Sequence, residues 1–313
     1  KYVLKVLTKL FRKPYDEYTE EFVELRDQQA NDYVRERIHQ AQNGLMVSKW
    51  GTTELGNVCS LLSDELHIPL KDICEAKVSY DRVGSVTWLV NNSGFFPNSL
   101  PAGKKFAHLA LEDASEIDIL GSYVQHEYYV RSYTEKAKKI NLNGYYAPFL
   151  WKNPWTKELK GKKVLVIHPF AETVKKQYGK RERLFENPDI LPEFKKLTVI
   201  KAVQSIAGNS SETGFKDWFE ALDFMKNQMD QSDYEIALIG CGAYGMSLAA
   251  HAKRQGKIAV HMAGWTQMLF GIYGNRWIED QPEFKKYINE YWTRPGIDER
   301  PKNAEKVEGG CYW

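Results

Sequence analysis

The chain has 313 residues, of which 43% are hydrophobic and 27% charged, and its net charge is +2. This composition excludes a disordered chain, and the small charge supplies no global field for nucleic acid, so no nucleic-acid partner is expected. No stretch reaches the roughly 18 apolar residues that cross a bilayer. Four cysteines, Cys59, Cys74, Cys241 and Cys311, stand far apart with no CxxC pair; that argues against a zinc site or disulfide framework and for a reducing, cytoplasmic setting.

In chain order, "KYVLKVLTKLFRKP" pairs an apolar helical stripe (Val3, Leu4, Val6, Leu7, Leu10, Phe11) with Lys1, Lys5, Lys9, Arg12 and Lys13. Such a segment either packs on the domain or lies on an anionic membrane surface, so residues 1–13 are a candidate peripheral membrane contact, at the inner face. Residues 15–41 are charged, with apolar positions at helical spacing, and predict a helix stopped at Gly44. "LMVSKWG" predicts a strand ending at Gly51, followed by a helix capped at Thr52 or Thr53. Residues 86–91 are a buried, mixed stretch, and "NNSGFFPNSLPAGKK" predicts a loop. A helix is expected from Phe106 to about Asp118, and "INLNGYY" reads as a strand ending.

After the turn-rich "LWKNPWTKELKGKK" the rhythm changes. Strands at 163–170, 196–206, 234–240 and 257–264 alternate with helical segments. That alternation predicts a Rossmann-like α/β fold: a parallel sheet with helices on both faces, preceded by N-terminal helices. The expected organisation is a helical segment over 1–43, an α/β half over 44–150 and a Rossmann-like half over 151–313, joined in one body. The C-terminal "ERPKNAEKVEGGCYW" is expected to wrap the surface.

The most pointed motif is G-x-G-x-x-G in "YEIALIGCGAYGMSLAAHAKRQGKIAVHMAG": Gly240, Gly242 and Gly245. Gly240 closes a strand, Gly242 lets a ligand approach the backbone, and Gly245 lets the helix pack close. The helix N-terminus then offers N–H groups to a phosphate. A dinucleotide-binding unit also wants an acid about 20 residues on, for the ribose. Here the next strand ends at His261, and the motif falls late in the chain. A tight βα turn without ligand is the plain alternative, and an NAD(P)-dependent oxidoreductase is the functional one.

Other strand ends carry polar groups. His168 ends a strand, and the helix after it carries Thr173, Lys175, Lys176, Lys180, Arg181 and Arg183, either a second diphosphate site or a solvated basic face. Gln204 and Ser205 end another strand and are candidate contacts for a base or sugar. Glu54 follows Gly51 at a strand-to-helix turn; it is a candidate base, sugar clamp or metal ligand, or simply an acid favoured by the helix dipole. Asp118 is a second candidate acid at a cleft edge. Nine tryptophans and 18 tyrosines include Trp50, Trp151, Trp155, Trp265 and Trp277 in turns or at strand ends. Trp50 and Trp265 are the candidates for stacking on sugar rings, against ordinary core packing. No G-x-S-x-G, HExxH or Walker A motif is present.

Three stretches together resemble the bacterial GT-D type glycosyltransferases. They are "VSKWGTTEL", similar to that group's R-[FI]-G-D-G-E turn; the "VLVIHPF…KKQYGKRERLFENP" unit; and the strand, glycine turn, helix and strand over 236–264. The resemblance spans about residues 45–280. It implies a transferase moving a sugar from a nucleotide diphosphate donor, a UDP-sugar foremost, to a glycan or glycoprotein acceptor in polysaccharide biosynthesis. In that reading Glu54 and Asp118 are the catalytic acids. Gly51, His168, Thr173, Lys176, Arg181, Gln204, Gly240, Gly242, Tyr244 and Gly245 face the donor. The family's acidic D-x-E is matched only at Glu54, with Thr52 in place of the Asp and Lys49–Trp50 in place of the Arg–aromatic pair. That departure puts Mn2+ or Mg2+ dependence in doubt and leaves a non-catalytic nucleotide-sugar-binding protein as a third reading.

Overall fold

The structure is a computed structural model that describes residues 2–313. The chain opens with α1 (Tyr2–Phe11) and α2 (Asp27–Gln40), then enters the sheet at β1 (Leu45–Lys49). Four helices follow: α3 (Thr52–Leu61), α4 (Leu70–Cys74), α5 (Arg82–Ser93) and α6 (Leu100–Ala114). Next come β2 (Ile119–Gly121), β3 (Lys138–Ile140), α7 (Asn143–Tyr146) and β4 (Lys163–His168). The remainder alternates as expected: α8 (Ala171–Tyr178), α9 (Arg181–Leu184), β5 (Lys196–Lys201), α10 (Trp218–Asp230), β6 (Ile236–Ile239), α11 (Tyr244–Arg254), β7 (Ile258–His261) and α12 (Trp265–Leu269).

The seven strands form one sheet in the order β3-β2-β1-β7-β6-β4-β5, and every pairing is parallel. The fold is therefore Rossmann-like α/β. β1, from the 44–150 half, pairs with β7, from the 151–313 half, so strands of both halves share the sheet. Side chains alternate between two apolar layers, as a strand covered on both faces requires. Met46, Leu165, Ile167, Ala237 and Ile239 pack with α3, α5, α6, α10 and α11. Leu45, Val47, Val164, Val166, Leu238 and Val260 pack with α2, α8 and α12 on the other face.

Local chemistry sets several boundaries. Ser99 caps α6 by accepting from Ala102 N (3.4 Å), and Asp217 caps α10 by accepting from Glu220 N (2.8 Å). Residues 86–91, expected only as a mixed stretch, lie inside α5, and the loop expected through Lys105 ends at Ser99, the cap of α6. The helix expected over 15–41 is shorter. Residues 15–26 run irregularly, with Glu24 N and Leu25 N donating to Lys139 O beside β3, before α2 begins at Asp27. No helix among the described residues is long and apolar enough to cross a membrane.

Candidate functional site

β1, β7, β6 and β4 end side by side, and the segments leaving them line a cavity of about 620 Å³. This is the carboxyl edge of the sheet, where open parallel sheets bind ligands. Its lining includes Lys49 at the end of β1 with Trp50, Gly51 and Glu54 after it, His168 at the end of β4, Gln204 and Ser205 after β5, Gly240 and Gly242 after β6, and His261 at the end of β7 with Trp265 after it. Segments distant in sequence close it: Tyr18, Tyr123, Tyr146, Arg276, Tyr312 and Trp313.

The turn after β1 leads directly into α3. Gly51 caps the helix without a side-chain hydrogen bond, so no side chain of the cap covers its first turn. Half-buried Glu54 folds back over that turn: a Cβ on Gly51 would lie 1.7 Å from Glu54 Oε2. Lys49 Nζ donates to Tyr123 Oη (3.3 Å), which donates to Trp50 O (2.9 Å). The turn after β6 is built on glycine geometry. Gly242 has φ +56°, and a Cβ there would lie 2.8 Å from Ser93 O, the same oxygen that accepts from Ala243 N at 3.1 Å. Gly245 is pressed against His261, whose Nε2 would stand 2.2 Å from an added Cβ. The glycine spacing thus seats α11 on β7 and on the end of α5, with the α11 N-terminus beside the cavity.

Both cavity histidines are neutral. Burial holds His168 down to about 3, and its Nδ1 accepts from Phe170 N (3.1 Å). Burial, aided by the Lys49 charge, holds His261 down to about 3; its Nδ1 lies 3.0 Å from Ser48 Oγ. A neutral, buried histidine therefore occupies the strand end where a ribose-binding acid would stand. Burial pushes the Tyr244 hydroxyl and the Cys241 thiol up. Tyr244 stacks on Trp218 (5.0 Å between centroids) and its hydroxyl lies 3.3 Å from Ser205 Oγ, so it braces the wall more than it offers a ligand contact.

Several expected site residues lie elsewhere. Asp118 precedes β2, at the amino edge of the sheet, where its carboxylate accepts from Met46 N (2.8 Å) and pairs with Lys253 (2.9 Å). Opposite edges of the sheet separate it from the cavity, which removes it as a cleft acid. The N-terminus of α8 already holds an anion. Buried Glu299 accepts from Glu172 N (2.8 Å), Thr173 N (3.2 Å) and the Thr173 hydroxyl. A phosphate there would meet a carboxylate, so Thr173 is no donor contact. Lys176 is exposed and outside the cavity lining, and Arg181 pairs with Glu182 (3.1 Å) and Glu193 (3.8 Å). Trp50 is 1% and Trp265 7% exposed. The Trp265 ring is committed to Tyr146, Trp277 and Phe284, so neither indole is free to stack on a sugar.

The cations facing the cavity are instead Lys49 and Arg276. Arg276 follows Gly274 in a short 3-10 turn; its Nη2 donates to Cys311 Sγ (3.3 Å) and its guanidinium lies over the Tyr312 ring (4.5 Å). The C-terminal stretch is pinned here by Arg276 N to Cys311 O (2.8 Å) and Gln267 Nε2 to Tyr312 O (3.2 Å). It lines the cavity where a surface wrap was expected. Nothing in the local pattern around Arg276 signalled this, because the contact joins segments 35 residues apart. Among the described residues no group of three or more His, Cys, Asp and Glu is placed to hold a metal. Glu54 has no carboxylate partner on its own turn, where Thr52 lies two residues before it, and Asp280 is the other carboxylate of the lining.

No family model matches the chain, and no curated protein matches it. A solved structure described as a selenomethionine-substituted domain of unknown function 1792 (DUF1792) resembles it over 98% of both chains, with 11% identity and a TM-score of 0.44.

Proposed function

We propose that this chain is a glycosyltransferase that takes a sugar from a nucleotide diphosphate donor, acting in the cytoplasm on a glycan or glycoprotein acceptor. The observation that carries the reading is one cavity that gathers two carboxylates, Glu54 and Asp280, two cations, Lys49 and Arg276, and the N-terminus of α11. In the reaction the bond between the anomeric carbon and the diphosphate oxygen breaks as the acceptor oxygen bonds to that carbon. The electron pair leaves with the diphosphate, whose charge falls to the α11 N-terminus, Lys49 and Arg276. Glu54 takes the acceptor hydroxyl proton. Partly exposed Tyr312, held under Arg276, offers the apolar face for the sugar or base that the buried indoles do not. Neutral His168 and Gln204 supply polar contacts along the same wall. The four free thiols accord with a reducing compartment.

A thermal-shift panel tests the reading. UDP and UDP-sugars are expected to raise the melting temperature with no added divalent metal, while NAD and NADP leave it unchanged. Stabilisation by NAD or NADP without response to any nucleoside diphosphate would replace transfer with hydride chemistry. Binding of a UDP-sugar with neither hydrolysis nor transfer would leave a nucleotide-sugar-binding protein.

A further inference from the structure

We infer that α1 is a docking element for an anionic lipid surface. At about 3.6 residues per turn the helix divides into three sectors. Leu4, Leu7 and Thr8, its less exposed positions, turn toward α4, where the Thr8 hydroxyl donates to Ile73 O (3.4 Å). The next sector is apolar but open: Val3 is 67%, Val6 41% and Leu10 71% exposed, and Phe11, which ends the helix in line with Leu4 and Leu7, is 55% exposed. Exposed Lys5 and Lys9 fill the third sector, and Arg12 and Lys13 follow the helix. No acidic residue occurs from Tyr2 to Lys13. Lys13 pairs with Glu75 (2.6 Å) and holds the helix end against the domain.

An apolar ridge flanked by cations matches the boundary between headgroups and acyl chains. The ridge enters the acyl layer while lysine and arginine meet anionic phosphates. A second copy of the chain fits less well, because it would bring like charges together. The surface also lies near the cleft in sequence: from Phe11 the chain runs to Tyr18, which stacks on Tyr123 and lines the cavity. The inference stands on α1 alone and holds or fails independently of the transferase reading.

Flotation of the full chain with vesicles decides it. The chain is expected to float with vesicles of phosphatidylcholine mixed with phosphatidylglycerol, and not with phosphatidylcholine alone. Val3→Glu with Leu10→Glu should weaken recovery by about tenfold or more, and Lys5→Glu with Lys9→Glu should do likewise. Both variants alter exposed positions and should melt as the parent chain does. Failure to float with anionic vesicles, or flotation untouched by either variant, overturns the inference. So does a self-association in solution that Leu10→Glu abolishes, which would make the ridge a contact between copies.

Discussion

The ends of α8 and α11 are built from the same parts and do different work. Each follows a buried strand, and each points its N-terminus at the carboxyl edge of the sheet. At α8 the exposed N–H groups are filled from within, by Glu299. At α11 the chain spends its glycines on bringing the helix close to β7 and α5, and the turn stays on the cavity wall. The basic residues mislead in the same way. The cation-rich segment, with Lys175, Lys176, Lys180, Arg181 and Arg183, follows the sealed end, whereas single cations, Lys49 and Arg276, face the open one. A helix N-terminus is an anion site only where the fold has not already supplied the anion.

The largest effect should come from the acid on the open side. Glu54→Gln is expected to lower transfer or donor hydrolysis by about 10²–10⁴-fold while UDP affinity changes little. Unchanged turnover would remove Glu54 from the chemistry. On the sealed side, Glu299→Ala should cost about 1–3 kcal/mol of stability by stripping Glu172 N and Thr173 N of their acceptor, with UDP affinity retained. A loss of UDP binding out of proportion to the loss of stability would move the nucleotide to α8 and break the contrast. Gly245→Ala should cost about 1–3 kcal/mol, because the added methyl displaces His261; a neutral result would mean that α11 is not seated as described.

A smaller effect tests the neutral histidines. Both are held near 3, below their ordinary value of about 6.5. Between those values the unfolded chain binds protons that the folded chain does not. Their contribution is therefore full above about pH 6.5 and is lost as pH falls toward 3, by up to about 1.4 kcal/mol per pH unit for each. Melts taken from pH 7 down to pH 5 should show a falling midpoint, and His261→Asn should flatten the slope. A flat profile in the parent chain would show that these rings are not buried neutral.

Much of the fold was legible because strand and helix signals are local. The apolar runs of β4, β6 and β7 and the glycine turn act within a few residues, whereas the cap expected at Thr52 or Thr53 falls one residue earlier, at Gly51. Residues 82–93 were missed as a helix because "VTWLVN" is a dense apolar run whose period is hidden. Ser99 was missed as a cap because Asn, Gly and Pro before it read as one loop. The site divides in the same way. Trp50, Gly51, Glu54, His168, Gln204, Gly240 and Gly242 sit at strand ends and reach the cavity lining. Asp118 failed because a strand has two ends, and spacing does not say which one faces the ligand. Glu299, Arg276 and Tyr312 were invisible because each acts through a contact between distant segments.

Calorimetric titration of UDP into four chains tests the central claim most directly: the parent chain, Lys49→Ala, Arg276→Ala, and the double variant Lys176→Ala with Arg181→Ala. The account predicts binding in the parent, a loss of about tenfold or more in each of the two single variants, and affinity within about twofold of the parent in the double variant. Intact binding in Lys49→Ala and Arg276→Ala, with loss in the double variant, would contradict it and place the diphosphate on the α8 side.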